Sequence, residues 1–513
     1  AAALPAAPAL SQGAAARTLR VVPQANLTSL DPVWTTAVVT RNHGFLVYDQ
    51  LCAQDAAGEV KPQMAEGWAT ENEGRDTTFT LRAGLKFHDG EPVRAADCVA
   101  SIKRWAARDV FAQVMWRRVD AVEALDDRRF RVRLKQRFPG LLPALGQTQF
   151  PCFVMPERVA ATDPFQQTRE AVGSGPFRFV RDEWNPGQRA VWARNDAYVP
   201  RQEPVDGLAG GRAPKVERVE WTIITDPATA ANAMATGEQD YWEYPLHDLL
   251  PLLRRSRDLV VQQRLLDGTY AICRFNHLHP PFDDVGVRRA VAMAVDQRDY
   301  MRAVAGNEKD GWETCEGVFT CGTPLASEAG SEILKVRNLE RAKAALREAG
   351  YAGERVVLIA PGDYPQINAV SMVTADLLQR LGMNLELVST DWGTLVQRRA
   401  SKEPVERGGW SMIHTTSSGQ TLTLPVFHLF LRANGPNAWF GWPDVPRLEE
   451  LRVSWFDAPD LAAQRRIAAE IQREVMDSAP YLPTGQYFVS TAYRRTITEP
   501  ISEVYAFWGV RPA

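Results

Sequence analysis

The chain has 513 residues, 45% of them hydrophobic and 24% charged, with a formal net charge of −3. That length exceeds the roughly 250–300 residues at which a single core stops growing, so two or three domains are expected. Both charge signs are spread along the chain, with no basic block for nucleic acid and no acidic arm, and no run of about 18 apolar residues offers a membrane span.

Residues 1–16 read AAALPAAPALSQGAAA and carry no charge. They are expected to be a flexible tail or the remnant of a secretory signal peptide. Ala14-Ala15-Ala16 suits a processing site, but a positive n-region and a start Met are missing. Residues 19–22 read as a strand. Alternation at 77–81 and 130–134 predicts two more, and 95–107 has helical spacing with Val99, Ile102 and Trp105 on one face. A β-rich subdomain with inserted helices fits 43–172. Residues 216–224 place Val219, Trp221 and Ile223 on one side of a strand, and Asp226-Pro227 then opens a helix ending at Gly237.

The second half has a sharper signal. Asp283-Asp284 caps a helix over 285–304, and further helices are expected at 338–349, closed by Gly350, and at 461–476. Between them, the apolar run 356–360, a helix over 367–381 stopped by Gly382, and a strand over 385–388 form a βαβ unit with a parallel pair. Ligands of open α/β sheets sit beyond the strand C-termini, which points to Asp363-Tyr364 and Asp391-Trp392.

Enzyme signatures are absent: no G-x-S-x-G, no phosphate-binding Walker loop and no H-E-x-x-H occurs. His277-Leu278-His279 could be half of a metal site, but Pro280-Pro281 follows and no second His/Cys pair accompanies it. Of six cysteines, Cys315 and Cys321 flank a five-residue segment that one disulfide could close. Cys52, Cys98, Cys152 and Cys273 read as buried thiols.

Several separated segments agree with one family. Val47-Tyr48-Asp49-Gln50-Leu51 is followed by Lys61-Pro62-Gln63-Met64-Ala65-Glu66-Gly67-Trp68, then by Phe87-His88-Asp89-Gly90-Glu91-Pro92-Val93 and Ala96-Asp97-Cys98-Val99. Gly173-Ser174-Gly175-Pro176-Phe177, Arg194-Asn195-Asp196-Ala197-Tyr198 and Arg288-Arg289-Ala290-Val291-Ala292 complete the series. In this order they resemble the family 5 extracellular solute-binding proteins of ABC importers, the dipeptide/oligopeptide/nickel-binding type, over about residues 19–500. The resemblance implies an α/β, two-lobed periplasmic-binding-protein fold (type II, three-domain) with a hinged interlobe cleft. Lobe I would combine 17–42, 173–265 and 483–513, with 43–172 inserted, and lobe II would span 266–482. It implies a periplasmic or extracytoplasmic monomer that captures a peptide or peptide-like solute and delivers it to membrane permease subunits. No enzyme activity and no cofactor are implied. A metal complex such as nickel, or a sugar or amino-acid derivative, is the alternative ligand.

Candidate cleft residues follow from both sources. Trp392 lies beyond the second βαβ strand, where relatives place a cleft tryptophan. His414, Thr415 and Ser417 lie at the end of a strand that enters a polar loop and contributes ligand contacts in relatives. Alternation in Asp240-Tyr241-Trp242-Glu243-Tyr244 sets Tyr241 and Glu243 on one face and Trp242 and Tyr244 on the other; either face could meet ligand. Trp439 belongs to an aromatic cluster that could wall a pocket or pack in the core. Tyr487 and Trp34 are named by resemblance. Many peptide-binding relatives place an Asp shortly after the strand that starts here at Trp410, where it pairs with the ligand's α-ammonium. Residues 410–424, WSMIHTTSSGQTLTL, contain no acid. A ligand other than a free-amine peptide is therefore expected, unless Glu243 supplies the carboxylate from the opposite lobe.

Overall fold

The computed structural model describes residues 18–263, 267–308, 310–458, 460–498 and 506–512. The tail or signal remnant expected over 1–16 lies outside the described residues. Two large sheets form the centres of two lobes. The first has seven strands in the order Phe177–Phe179, Arg189–Arg194, Arg218–Thr222, Thr18–Val22, Tyr241–Trp242, Ser490–Arg494, Leu259–Gln263. Its centre is parallel: Thr18–Val22 pairs in parallel with both Arg218–Thr222 and Tyr241–Trp242. Leu19, Val21, Val219 and Trp221 are fully buried, the outcome of period-2 alternation on a covered sheet.

A four-stranded antiparallel sheet follows the order Ala65–Glu71, Asp76–Leu81, Arg129–Leu134, Val119–Ala124. Its inner face carries Phe79 stacked on Phe130 at 5.0 Å, and helix Ala95–Ala106 covers it with Val99, Ile102 and Trp105 buried. Asp97 sits in the first turn of that helix and accepts from the Arg94 backbone N–H at 2.7 Å. Two buried ion pairs bind neighbouring segments to this sheet's helix and to the seven-stranded sheet's connections, Arg104 to Asp31 at 2.7 Å and Arg212 to Asp49 at 2.8 Å.

The other large sheet has six strands in the order Trp312–Glu313, Tyr481–Tyr487, Thr269–Phe275, Met412–Ser418, Arg355–Pro361, Asn384–Thr390. The βαβ unit is present. Arg355–Pro361 and Asn384–Thr390 are parallel, and helix Pro365–Leu381 between them ends at Gly382 with φ +81°. The single helix expected over 285–304 is two, Val285–Ala292 and Gln297–Ala305. Asp296 breaks it, because its side chain accepts from the Arg298 backbone N–H at 3.1 Å and caps a new helix. Cys315 and Cys321 are disulfide-bonded with Cα atoms 6.0 Å apart, and the other four cysteines are buried and free.

The described strands cross between the two large sheets at two places, from Gln263 to Thr269 and from Tyr487 to Ser490. Strand Tyr481–Tyr487 pairs with Thr269–Phe275 along its whole length, so a boundary at 483 would cut it and the crossing lies after Tyr487. Phe488, at that crossing, donates its N–H to the Gly311 carbonyl at 2.9 Å, and its carbonyl meets His247 Nε2 at 2.9 Å. One residue is thereby held from both sides.

Candidate functional site

The two lobes face each other across a pair of adjoining cavities. The inner one, about 60 Å³, is bounded from the first lobe by Gln24, Thr36 and Arg41, and from the second by Tyr364, Trp392, Arg399 and Thr415. The outer one, about 420 Å³, is aromatic, with Trp34, Trp105, Phe165, Phe440 and Trp442 on its walls. Thr36, Phe150, Leu429 and Trp439 line both cavities. The larger volume lies in the range of small-molecule sites. A concavity of about 690 Å³ near Tyr300, Met372 and Arg380 lies among helices of the second lobe alone, so nothing there would couple the two lobes.

Side chains bridge the cleft directly. The Tyr364 hydroxyl donates to Gln24 Oε1 at 2.9 Å, Gln149 Nε2 to Gln420 Oε1 at 2.9 Å, Arg399 Nη2 to Thr35 Oγ1 at 3.1 Å, and Trp439 Nε1 to Thr36 Oγ1 at 3.3 Å. Gly393 at the start of helix Trp392–Arg398 lies so close to Thr28 that a Cβ there would collide with its side chain. The helix therefore reaches the first lobe only because that position is glycine.

The βαβ strand ends build the floor. The Tyr364 and Trp392 rings meet edge to face at 5.1 Å. Asp391 caps the helix that begins at Trp392 by accepting from the Thr394 backbone N–H at 2.9 Å, and Asp363 accepts from the Trp392 backbone N–H at 2.6 Å. Both carboxylates thus hold backbone and orient the tryptophan. Arg399 follows at the end of the same helix, and burial pushes its pKa down to about 9, with the nearby Arg108 charge adding to the effect.

A family model for bacterial extracellular solute-binding proteins, family 5 middle, matches residues 59–435. A protein of Sinorhizobium fredii named "Probable peptide ABC transporter periplasmic-binding protein" is 37% identical over 488 residues, covering 94% of this chain and 91% of that protein. The chain belongs to the family 5 bacterial extracellular solute-binding proteins. Solved structures share the two-lobed type II fold. A periplasmic binding protein from A. tumefaciens R10 in complex with agropinic acid superposes with a TM-score of 0.77 at 19% identity, covering 96% of each chain. A dipeptide-binding protein from Pseudoalteromonas sp. SM9913 with bound Met-Leu superposes at 0.75 and 19% identity, covering 97% of this chain and 100% of the other.

On this family 5 frame, six of the ten candidate side chains border the two cavities. Tyr244, Trp392, Thr415, Ser417 and Trp439 line the inner one, and Trp34 and Trp439 the outer. Four do not, each for a physical reason. His414 is fully buried on the opposite face of its strand, with Nε2 2.7 Å from Thr374 Oγ1, and burial pushes its pKa down to about 3. Trp242 packs with Val22, Met234 and Leu253 in a separate small core of the first lobe. Tyr487 is buried at the lobe crossing, edge-on to His247 at 6.4 Å. Glu243 is fully buried. Its carboxylate accepts from the Gln24 backbone N–H at 2.8 Å and from Asn42 Nδ2 at 3.3 Å, and desolvation pushes its pKa up to about 7. It borders neither cavity.

Sequence reasoning passed over Arg399, Arg41, Gln149, Thr36 and Phe150. For Arg399 a signal existed: it stands seven residues after Trp392, two helical turns on, and so on the same face. For Gln149 and Phe150, brought in by the inserted 43–172 segment, none did. Among the described residues no group of three or more His, Cys, Asp or Glu side chains could hold a metal; His277 and His279 instead meet the Pro480 and Lys402 carbonyls at 3.2 and 2.9 Å.

Proposed function

We propose that the protein captures a peptide-like small organic solute between its lobes on the outer side of the cytoplasmic membrane and hands it to the permease subunits of an ABC importer. The observation that carries this reading is the pair of cavities walled from both lobes, bridged by four side-chain hydrogen bonds that donors and acceptors on opposite lobes make only when the lobes are together. Two chain crossings form the hinge, and closure excludes water from the solute. The relatives support the importer and the extracytoplasmic setting, since the S. fredii protein is named as a periplasmic component of a peptide transporter. In this reading lobe I combines 17–42, 173–265 and the chain after Tyr487, with 43–172 inserted, lobe II is the intervening segment, the protein acts as a monomer, and an N-terminal leader directs export.

Binding, without turnover, is the proposed chemistry. A metal complex is the weaker reading, because neither cavity has a His or Cys on its described lining. The test is to denature protein purified from its exporting host, identify the released solute by mass spectrometry, and titrate it into refolded protein by calorimetry and small-angle scattering. Submicromolar binding with a smaller radius of gyration is expected. A solute that is chemically altered by the protein, or bound with no change in radius, would refute the proposal.

A further inference from the structure

Arg399 differs from the other fully buried guanidinium groups. Arg212 pairs with Asp49 at 2.8 Å, and Arg432 and Arg452 share Glu449 at 3.2 and 3.0 Å. Arg274 donates to the carbonyls of Phe440, Phe430, Pro480 and Trp439. Each of those charges has an acid or a set of carbonyls. Arg399 is 1% exposed and has the Thr35 hydroxyl at 3.1 Å, while its Nε is buried without a partner. Around it stand three rings, Phe440 at 4.8 Å, Trp439 at 5.5 Å and Trp392 at 5.9 Å. These faces attract the cation but cannot accept its N–H bonds in the plane of the fork.

This group lines the inner cavity, where the described lining has a second guanidinium, Arg41, and no acid. The outer cavity adds Arg108 and Lys402, and the one acid on its described lining is Asp109, which caps a helix by accepting from the Ala112 backbone N–H at 2.7 Å. A buried guanidinium with neither an acid nor a set of carbonyls around it is strongly disfavoured unless something else supplies the acceptors. We infer that the solute is an organic anion whose carboxylate pairs with Arg399 in the inner cavity, whose ring-bearing body fills the aromatic outer chamber, and which has no free ammonium beside that carboxylate or elsewhere in the inner cavity. The volumes fit this division, since about 60 Å³ admits little more than a carboxylate and about 420 Å³ a ring system. An ammonium in the inner cavity would meet the Arg399 guanidinium and no acid on the described lining. The inference rests on the proposed solute capture and narrows its ligand class.

The test uses full-length protein stripped of resident solute and three matched pools of aromatic dipeptides: N-acetylated with a free carboxylate, N-acetylated with an amidated carboxyl, and with a free ammonium and carboxylate. Affinity selection with mass spectrometric readout should retain the first pool at least tenfold over the other two. Arg399→Met should lose at least tenfold of that binding while melting at or above the wild-type temperature, because it removes a charge that the protein alone leaves uncompensated; Arg399→Lys should fall between. Retention of the amidated pool equal to the first, full binding by Arg399→Met, or no retention of the first pool would overturn the inference. So would a melting temperature of Arg399→Met several degrees below wild type, which would make the guanidinium structural. If the free-ammonium pool binds best, the ligand class fails and solute capture stands. If no pool is retained and no resident solute is released, both fail.

Discussion

Glu243 supplies the sharpest stability test. Its carboxyl is fully buried, and desolvation raises its pKa from 4.5 to about 7 against the opposing hydrogen bonds from Gln24 and Asn42 and the Arg41 charge. The folded state therefore binds this proton more tightly than the unfolded chain. The stability it contributes is fully present below about pH 4.5 and is lost as pH rises through about 7. A shift of roughly 2.5 units corresponds to about 3 kcal/mol at order-of-magnitude precision. Glu243→Gln removes the titration and keeps the shape. Its carbonyl can still accept from Gln24 N–H, and its amide can donate to Asn42 Oδ1, which has no partner in the present arrangement, once that amide turns over. Relative to wild type, the variant should gain up to about 3 kcal/mol above pH 7 and nothing below about pH 4.5. With an unfolding entropy of about 2 cal/mol/K per residue, that is roughly 3 °C for cooperative unfolding of the whole chain and more if the first lobe unfolds alone. Differential scanning calorimetry of both proteins across this pH range provides the comparison, and subtracting wild type cancels the other titrating groups. A difference in melting temperature that stays constant with pH would refute the buried-acid account.

Other outcomes follow from the same geometry. Trp439→Ala removes a wall of both cavities and the bridge to Thr36, so affinity for the released solute should fall on the order of 10–100-fold by calorimetry, with most of the fold's stability retained. His414→Ala should leave that affinity within about twofold, because the ring faces Thr374, but should lower the melting temperature by opening a buried cavity. His43, His414 and His428 are each pushed down to about 3 by burial. Their unfolded counterparts titrate near 6.5, so each contributes stability above that pH which declines by up to about 1.4 kcal/mol per unit as pH falls below it, measurable by denaturant titration. Breaking the Cys315–Cys321 bond by Cys321→Ser should cost about 2 kcal/mol, set by the short loop it closes, and peptide-resolved hydrogen exchange should show the loss confined to its neighbourhood.

The parts of this molecule governed by short-range rules were legible in its sequence. Period-2 alternation marked Asp76–Leu81 and Arg129–Leu134, Gly382 marked a helix end, and the strand–helix–strand pattern led from Arg355–Pro361 to Trp392 at the cleft. What depends on facing was not. Alternation separated Glu243 from Tyr244, yet only the packing of Gln24 and Asn42 around the carboxylate determines that Glu243 is inside and Tyr244 at the cavity. His414 and Thr415 differ by one residue and point to opposite sides of a sheet whose covering helix is distant in sequence. That Arg399 has neither an acid nor a set of carbonyls is a property of its surroundings, assembled from Thr35, Trp439 and Phe440, and no local pattern around Arg399 encodes it.

Capture between the lobes requires that one solute be held by both at once. Hydrogen–deuterium exchange of the full-length protein, stripped of the solute released by denaturation and then re-saturated with it, tests this most directly. Simultaneous protection is expected in 24–41 and 147–151 on the first lobe and in 392–399, 415–421 and 429–442 on the second. Protection restricted to one lobe, or centred on the helices around Tyr300 and Met372 instead, would contradict it.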